Sequence, residues 1–370
     1  MTSGRSTRPV VVVVGGGYGG VNVAKALDAE FEVVLVEPKD AFVHNVATLR
    51  ALVDPAFLPS IFLPYDHLLA NGRVVHDRAV AVDSERVALA SGAEIRADYI
   101  VLATGSTYPF PAKTDADRTA DAIDEYRAAH DALTDAGRVL LVGAGAVGIE
   151  LAGEITSKWP DKHVVLLDSA DDLMAGDFRP ELRAELRGQL LERGVELRLG
   201  EQLRELPPVR PATRETFTVV TTSGTEITAD MWFRCFGVAP VTEYLSADLA
   251  AARGPDGFIA VRPTLQLDGH EHVFAIGDAS NVDAKMAGRA GRQAQLVADN
   301  IRKLVAGERD LARYEPVPPA IVLPIGPDGG SGQLPGLDEL MPRETVAKVK
   351  GRDLMVGRYA EILGVTPATR

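Results

Sequence analysis

The chain of 370 residues is too long for one ordinary hydrophobic core and long enough for two or three domains. Hydrophobic residues make up 46% and charged residues 25%, the balance of a globular rather than a disordered protein. The net charge of −13 repels phosphate backbones, which argues against nucleic acid as a partner.

The start of the chain, MTSGRSTRPV, has no apolar stretch before Val10, so we expect no secretory signal. Thr2 stands where a myristoylation signal has glycine, and no apolar run approaches the roughly 20 residues that span a bilayer. The single cysteine, Cys235, forms no intramolecular disulfide, which suits a reducing compartment. These features predict a cytoplasmic protein that at most lies on the inner face of a membrane.

One pattern occurs twice along the chain: an apolar strand, a glycine loop, a helix and a second strand ending in an acid. The copies are VVVVVGGGYGGVNVAKALDAEFEVVLVE (10–37) and RVLLVGAGAVGIELAGEITSKWPDKHVVLLD (138–168). Continuous Val/Leu runs fit strands buried on both faces of a parallel sheet. Two separate units of this kind predict two doubly wound domains.

The first glycine loop, Gly15-x-Gly17-x-x-Gly20, follows directly on five valines. In such a loop the first glycine permits a tight turn, the second lets a pyrophosphate approach the backbone, and the third lets the helix pack on the strand. The helix N-terminus then offers free N–H groups to the phosphates. Because Glu37 ends the next strand, where a carboxylate can bind ribose hydroxyls, the whole unit predicts a dinucleotide site.

The second loop, Gly143-x-Gly145-x-x-Gly148, repeats the arrangement, with Asp168 at the end of the next strand. No Arg or Lys follows that acid until Arg179. A 2′-phosphate is usually bound by an arginine near this acid, so the sequence favours NADH, with NADPH as the alternative.

Glu150 lies two residues past Gly148, at the start of the predicted helix. From there it can reach the carboxamide of a nicotinamide that lies over a flavin. The spacing fits equally well an acid that only favours a helix N-terminus, so both interpretations stay open at this stage.

The order of the remaining strands tells the two sites apart. One buried strand ends in Ala-Thr-Gly (103–105) and a later one in Ile-Gly-Asp (276–278), as expected if the first domain is interrupted and completed after the second. Asp278 can accept a hydrogen bond from a ribityl hydroxyl, which only a flavin has. The predicted helix Ala287–Val305 would point its positive end at the flavin pyrimidine. FAD is therefore assigned to the first site.

The predicted fold class is α/β, with two nested Rossmann-like dinucleotide-binding domains for FAD and NAD(P) plus a small C-terminal α+β domain. The FAD-binding domain takes residues 1–114 and 239–310, the NAD(P)H-binding domain 115–238, and a C-terminal domain covering the flavin 311–370. From about Tyr314 the chain is first rich in Pro and Gly, and we expect it to end in two strand-like pieces and a short helix.

Several segments together resemble one family: HNVATLRA (44–51), LATGSTYPFP (102–111), VFAIGDAS (273–280) and KMAGRAG (285–291). They are similar to the ferroptosis suppressor family, AIF-like mitochondrion-associated members of the two-dinucleotide-binding flavoprotein superfamily that also includes type II NADH dehydrogenases. The resemblance runs from about Pro9 to the C-terminal LMVGRY. It implies an FAD-dependent NAD(P)H:quinone oxidoreductase whose C-terminal region covers the flavin and helps to form the quinone site.

The resemblance also implies individual roles. It places Glu150 near the nicotinamide, His44 close to the flavin and Lys350 near the flavin's open face, which makes these three the catalytic candidates. We expect no metal site. The predicted FAD-binding residues are Gly15, Gly17, Tyr18, Gly19, Gly20, Glu37, Lys39, Asn45, Arg50, Val80, Ala103, Thr104, Gly105, Asp278, Met286 and Ala287. Those predicted for the pyridine nucleotide are Gly143, Gly145, Val147, Gly148, Asp168 and Gly237.

Disulfide reductases and sulfide:quinone oxidoreductases of this fold use cysteine pairs, so a single cysteine excludes both. Two alternatives stay open: a reductase that supplies a ferredoxin or a monooxygenase, and a redox-responsive protein that holds FAD and NADH with little turnover. Residues 343–370 contain six Lys/Arg and three Asp/Glu, which fits a docking patch, contact with anionic lipid, or simply a solvated domain. A homodimer is left open, and the glycine-rich loop 326–332 leaves the shape of an acceptor pocket undetermined.

Overall fold

The computed structural model describes residues 8–366. Its helices are α1 (Tyr18–Leu27), α2 (Thr48–Val53), α3 (Thr119–Asp135), α4 (Ala146–Lys158), α5 (Pro180–Glu192), α6 (Ala287–Val305), α7 (Arg343–Val346) and α8 (Val356–Leu363). Short 3-10 turns lie at Asn45–Ala47, Leu58–Ile61, Ala250–Ala252 and Gly277–Ala279, and a π-helical turn at Ala347–Gly351.

The strands are β1 (Val10–Val14), β2 (Glu32–Val36), β3 (Ala41–Val43), β4 (Phe62–Pro64), β5 (Arg73–Val75), β6 (Ala79–Val82), β7 (Arg86–Leu89), β8 (Glu94–Arg96), β9 (Tyr99–Leu102), β10 (Ser106–Thr107), β11 (Arg138–Val142), β12 (His163–Asp168), β13 (Glu196–Leu199), β14 (Phe217–Val220), β15 (Glu226–Ala229), β16 (Met231–Arg234), β17 (Ala239–Pro240), β18 (Gln266–Leu267), β19 (His270–Ala275), β20 (Ile321–Ile325) and β21 (Gly329–Gln333).

The larger of the two main sheets has the strand order β18-β19-β9-β1-β2-β5, and all its pairings are parallel except β18 with β19. Strands β1, β2, β5 and β9 precede the strands of the second main sheet in the chain, whereas β18 and β19 follow them. The first domain is therefore interrupted and completed later, and the predicted nested α/β fold class is confirmed. The individual domain boundaries stay predictions.

The valine run explains why β1 lies at the centre of this sheet. Val11 and Val13 face a core formed with α1 and α6, whereas Val12 and Val14 face the opposite core, which includes strands β6 and β7. A strand covered on both faces has no polar side, so an unbroken apolar run is the pattern that such a strand requires.

The second main sheet, β13-β12-β11-β16, is entirely parallel. Helix α4 and helix α5 contribute to the core on one face, and the antiparallel hairpin of β14 and β15 covers the other. The short strands β10 and β17 pair in the two connections between the main sheets. The chain thus forms two main sheets, one mostly and one entirely parallel, each with its own glycine loop.

The C-terminal region differs from the sequence prediction. The expected glycine-rich loop 326–332 contains most of strand β21, which pairs with β20 and packs against α5 and α7. A side chain at Gly330 would overlap the carbonyl oxygen of Leu323, so this strand approaches its neighbour too closely for any residue but glycine. The prediction of two strand-like pieces after this loop was wrong, because the chain from Arg343 to Leu363 forms three short helical segments.

No helix among residues 8–366 is both long and apolar enough to cross a bilayer.

A buried ion pair joins the two main domains. Arg50 on α2 donates from Nη2 to Oε1 of Glu154 on α4 at 2.8 Å and from Nε to the other carboxylate oxygen. The same Nη2 donates to the carbonyl oxygen of Gly351 at 3.0 Å. The side chains are only 8% and 4% exposed, so the pair is shielded from water. Three parts of the chain are therefore held together at one point.

We expect Glu154→Leu to lower the free energy of unfolding by about 3–5 kcal/mol, because it leaves the Arg50 guanidinium buried without its carboxylate. The double variant Arg50→Met/Glu154→Leu should recover most of that loss, since it removes both charges. Urea denaturation of the wild type, both single variants and the double variant measures the coupling. Additive losses in the double variant would contradict this account.

Candidate functional site: two glycine loops at the switch points of two sheets

Both glycine loops lie where the strand order of a sheet reverses. In the first sheet successive strands run outward from β1 through β2 in one direction and from β9 in the other; in the second sheet β11 separates β12 from β16 in the same way. In open α/β sheets ligands bind outside the carboxyl ends of the strands at such a switch point. Each loop therefore opens onto a binding crevice.

The first loop is shaped by close backbone contacts. Gly15 has φ +103°, a conformation that favours glycine, and a side chain there would meet the carbonyl group of Ala103. A side chain on Gly20 would overlap the carbonyl oxygen of Gly15, so helix α1 can begin only against the end of β1. By contrast, no atom lies within 4 Å of a Cβ placed on Gly17, which leaves room for a ligand at the helix start.

The second loop has the same geometry. Gly143 has φ +112°, and a Cβ there would stand 2.8 Å from the carbonyl oxygen of Cys235. A side chain on Gly148 would overlap the carbonyl oxygen of Gly143, and a Cβ on Gly145 would find open space within 4 Å. Val147 lies in the first turn of α4. Both loops thus have the shape that a pyrophosphate needs.

The acid after each loop binds the loop backbone. Glu37 accepts hydrogen bonds from the N–H of Gly16 at 2.6 Å and of Lys39 at 3.0 Å. Asp168 accepts one from the N–H of Ala144 at 2.6 Å. Burial raises the pKa of Glu37, although these two N–H donors oppose the shift. Each carboxylate therefore holds its loop in position and keeps further acceptor capacity for a ribose.

Asp278 lies at the turn after β19, beside the first loop. Its Oδ2 accepts a hydrogen bond from Ser106 Oγ at 2.8 Å, and Lys113 Nζ lies 3.5 Å from the same oxygen. Lys113 also donates to the carbonyl oxygen and the hydroxyl of Ser106, at 2.6 and 2.9 Å, and its burial lowers its pKa. Within residues 8–366, Oδ1 of Asp278 accepts no hydrogen bond, so it is available to a ligand hydroxyl.

Ser106 and Lys113 were not predicted from the sequence. Lys113 lies eight residues past Gly105 and belongs to no motif, so only the folding of its loop brings it to the strand end. Thr104, at the start of this loop, donates to the carbonyl oxygen of Val241 at 2.6 Å.

Helix α6 begins at Ala287, as predicted, with Met286 as its N-cap. The helix packs against the turn Gly277–Ala279, and Gln293 accepts a hydrogen bond from the N–H of Gly277 at 2.7 Å. The start of the helix and the carboxylate of Asp278 are thereby brought to the same end of the first sheet. A group with developing negative charge would be stabilised near this helix start.

His44 is completely buried between the first loop and the C-terminal segment. Its Nδ1 lies 3.2 Å from the hydroxyl of Tyr18, and its Nε2 lies 2.7 Å from the carbonyl oxygen of Leu354. Since a carbonyl can only accept, Nε2 carries the proton and Nδ1 accepts from Tyr18. That hydroxyl in turn accepts from the N–H of Val46 at 3.0 Å. Burial lowers the pKa of His44 to about 4, so the imidazole is neutral.

Glu150 and Lys350, 200 residues apart in the chain, form an ion pair. Lys350 Nζ lies 2.9 Å from Glu150 Oε1 and 3.0 Å from the carbonyl oxygen of Val322. Both side chains are about one-sixth exposed, at 16% and 15%. Two of the three predicted catalytic residues therefore meet, and Glu150 does more than complement a helix terminus.

Several predicted residues lie away from the open space of the loops. The ammonium group of Lys39 donates to the carbonyl oxygens of Thr114 and Ala116 at 2.9 and 2.6 Å. Val80 on β6 is 51% exposed, and Arg50 is committed to its ion pair. Their roles at a cofactor stay predictions, as do those of Gly19 in the first turn of α1 and Asn45 at the start of a 3-10 turn.

Cys235, the residue after β16, is only 3% exposed, and burial raises the pKa of its thiol to about 12. Its carbonyl oxygen accepts a hydrogen bond from the Tyr108 hydroxyl at 2.6 Å. A buried, protonated thiol without a second cysteine in the chain cannot exchange disulfides. Residues 8–366 also contain no cluster of three side chains suited to a metal ion.

A chain with two such loops on two nested parallel sheets is an oxidoreductase of the two-dinucleotide class. It belongs to the pyridine nucleotide-disulphide oxidoreductase family, which matches residues 9–296. Ferroptosis suppressor protein 1 of Taeniopygia guttata is 35% identical over 362 residues, and that of Homo sapiens 34% over 373, with 96% of each chain covered in both comparisons. The family resemblance expected from the sequence is confirmed.

Solved structures agree with the fold. The sulfide:quinone oxidoreductase of Aquifex aeolicus superimposes with a TM-score of 0.76 over 96% of this chain and 91% of that one, at 15% identity. A ferredoxin reductase of Rhodopseudomonas palustris superimposes with a TM-score of 0.66 over 84% of this chain and 78% of that one, at 22% identity. At these identities the likeness concerns the fold alone.

The neutral His44 makes stability depend on pH. Its pKa falls from 6.5 to about 4 on folding, so the unfolded chain binds more protons between these values. The stabilisation is complete above pH 6.5 and falls by about 3 kcal/mol as the pH drops towards 4. We expect His44→Asn to show a shallower loss of unfolding free energy over this range in urea titrations at several pH values. Equal slopes for the two proteins would contradict the prediction.

Gly17→Ala and Gly145→Ala test the two loops separately. Since neither new methyl group meets a protein atom within 4 Å, both variants should fold normally. If the first loop holds FAD and the second NADH, as the sequence predicts, Gly17→Ala should weaken FAD retention by about 10-fold or more, whereas Gly145→Ala should raise KM for NADH by a similar factor and keep its flavin. Gly188→Ala, also in open space on α5, is the matched control. Visible spectra and initial rates measure both effects.

Proposed function

We propose that the first loop holds FAD, the second holds NADH, and the enzyme passes electrons from NADH through the flavin to a quinone. The observation that carries this assignment is the asymmetry of the two crevices. The first has Asp278 with a free carboxylate oxygen and the start of α6, which suit a ribityl chain and a reduced flavin ring. Glu150 lies in the helix of the second loop, where a nicotinamide amide needs an acceptor.

When bound, the two cofactors supply hydride transfer from the reduced pyridine to the flavin. The protein positions the two cofactors and excludes water from the space between them. Helices α1 and α4 present their N–H groups to the two pyrophosphates, and Glu37 and Asp168 hold the loops in shape. No side chain acts as a nucleophile in this scheme, which agrees with the burial of Cys235.

Each member of the Glu150–Lys350 pair serves one of the two half-reactions. Glu150 orients the carboxamide of the nicotinamide, and Lys350 carries a positive charge towards the acceptor side of the flavin. Because Lys350 also donates to the carbonyl oxygen of Val322, the C-terminal hairpin sets its position. A quinone that takes up electrons gains negative charge on its oxygens, and an adjacent ammonium group stabilises that charge.

The preference for NADH rests on the surroundings of Asp168. Its carboxylate accepts from the N–H groups of Ala144 in the loop and of Ala170, and the first arginine after it, Arg179, donates from Nη1 to the carbonyl oxygen of Asp338 at 2.6 Å. Nε and Nη2 of Arg179 are buried without a hydrogen-bond partner among residues 8–366, so the preference rests on residues 169–178, which contain no Arg or Lys. NADPH stays the alternative donor.

The test is an anaerobic titration of the purified yellow protein with NADH and with NADPH, followed by turnover with soluble quinones and with ferredoxin. We expect NADH to bleach the flavin and a short-chain quinone to restore its colour repeatedly. Turnover with ferredoxin alone would favour the alternative of a protein-directed reductase. Reduction without turnover on any acceptor would favour a redox-responsive binding protein.

The two members of the ion pair should fail in different half-reactions. We expect Glu150→Gln to slow flavin reduction by NADH on the order of 10–100-fold, because the nicotinamide loses its orienting carboxylate. Lys350→Met should instead slow reoxidation by quinone by a comparable factor. Stopped-flow measurement of each half-reaction separates them, and Lys348→Met, a neighbouring lysine of the same π-helical turn, is the control. Identical defects in the two variants would argue for a purely structural pair.

We also propose contact of the C-terminal region with a membrane that carries the quinone. Val349 is 46% exposed within a segment that has more basic than acidic residues. Sedimentation with vesicles containing anionic lipid, compared with neutral vesicles, tests this. A homodimer stays a prediction that equilibrium sedimentation can decide.

A further inference from the structure

Arg234, the last residue of β16, is an arginine without an anionic partner. Among residues 8–366 its side chain forms no hydrogen bond or ion pair, and its Nε is buried without any acceptor. Arg138, at the amino end of the neighbouring strand β11, behaves differently: it donates to the carboxylate of Asp230 at 2.8 Å. A buried guanidinium N–H without an acceptor is unfavourable, so this geometry calls for an acceptor supplied from outside the chain, and the positive charge favours an anionic one.

The guanidinium group lies at the carboxyl edge of the sheet. Its Nη2 is 2.9 Å from the point where a Cβ on Gly237 would stand, three residues further along the chain. Its Cζ lies 4.6 Å from the centre of the Phe236 ring. The side chain therefore runs along the strand towards the crevice rather than across the sheet.

That crevice is the one at the second glycine loop. Arg234 pairs in register with Val142, and the next residue after Val142 is Gly143, the first glycine of the loop. The strand end of Phe236, Gly237 and Val238 forms the opposite side of the switch point, and both apolar side chains are exposed, at 39% and 42%. An arginine at this place faces whatever the loop binds.

The first loop has no equivalent charge. The carbonyl group of Ala103 limits the space at Gly15, as the carbonyl group of Cys235 does at Gly143. The residue before Ala103 is Leu102, so Leu102 corresponds to Arg234, and it is fully buried. A cation without a partner at this strand position is thus a feature of the second site, whereas Lys113 near the first loop is paired with Asp278 and Ser106. Since the chain as a whole carries a net charge of −13, a single unpaired arginine next to a phosphate-binding loop is a local reversal of sign.

We propose that Arg234 binds the pyrophosphate of the pyridine dinucleotide at the second loop, opposite the N-terminus of α4. The planar guanidinium matches two phosphate oxygens, and Phe236 holds its plane by stacking against it. The buried Nε then gains its missing acceptor when the nucleotide binds. The proposal rests on the proposed function, in that it takes the second loop as the pyridine nucleotide site.

The experiment compares two hydride donors that share the nicotinamide but differ in phosphate. NADH carries the pyrophosphate, and reduced nicotinamide riboside carries none. We expect Arg234→Met to raise KM for NADH by about 10–100-fold with little change in kcat, and to leave KM for the riboside unchanged. The inhibition constant of ADP-ribose, which has the pyrophosphate but no nicotinamide, should rise by the same factor as KM for NADH.

Two further variants complete the design. Arg234→Lys keeps a positive charge and the aliphatic stem, so it should raise KM for NADH less than Arg234→Met does, and it serves as the test protein should the larger change impair folding. Arg138→Met, at the amino end of strand β11 in the same sheet, should leave KM unchanged for both NADH and the riboside. Circular dichroism and flavin content verify that each variant is folded.

Unchanged KM for NADH in both Arg234 variants would overturn the proposal, as would an equal rise for NADH and the riboside, because the effect would then not involve phosphate. Different results would contradict the proposed function itself. If Gly145→Ala left KM for NADH unchanged, or if NADH did not reduce the wild-type flavin, the second loop would not be the nucleotide site, whatever the Arg234 variants did.

Discussion

The contact on which the structure depends is that between the third glycine of each loop and the carbonyl group of the first. At Gly20 against Gly15, and at Gly148 against Gly143, no side chain fits. Each helix can therefore begin directly against the end of a central buried strand, with its free N–H groups aimed into the crevice at the switch point. Both cofactor sites follow from this one backbone approach, because it creates the space at Gly17 and Gly145.

The C-terminal region is joined to both main domains by contacts with three of the predicted site residues. Lys350 reaches Glu150, the carbonyl oxygen of Gly351 accepts from Arg50, and that of Leu354 accepts from His44. Each of these three contacts joins the segment to a different part of the two domains.

Sequence patterns predicted the central strands, both loops and helix α6 correctly because local rules decide them. A strand buried on both faces must be apolar throughout, and a backbone approach as close as that at Gly20 admits only glycine. The same rules failed for the C-terminal region. Strand β21 has a glycine-rich sequence that indicates a loop, and its pairing with β20 and packing on α5 outweigh this low strand propensity.

By itself, the sequence determined the nested α/β fold, the two dinucleotide loops with their acids, and the exclusion of thiol chemistry, since each depends on residues close together in the chain or on a count of cysteines. Only the tertiary structure brought Lys350 to Glu150, Arg50 to Glu154, Lys113 to Asp278, and Arg234 to the edge of the second crevice without a partner. Such pairings join residues up to 200 positions apart, and the packing of domains, not a local pattern, decides which charges meet.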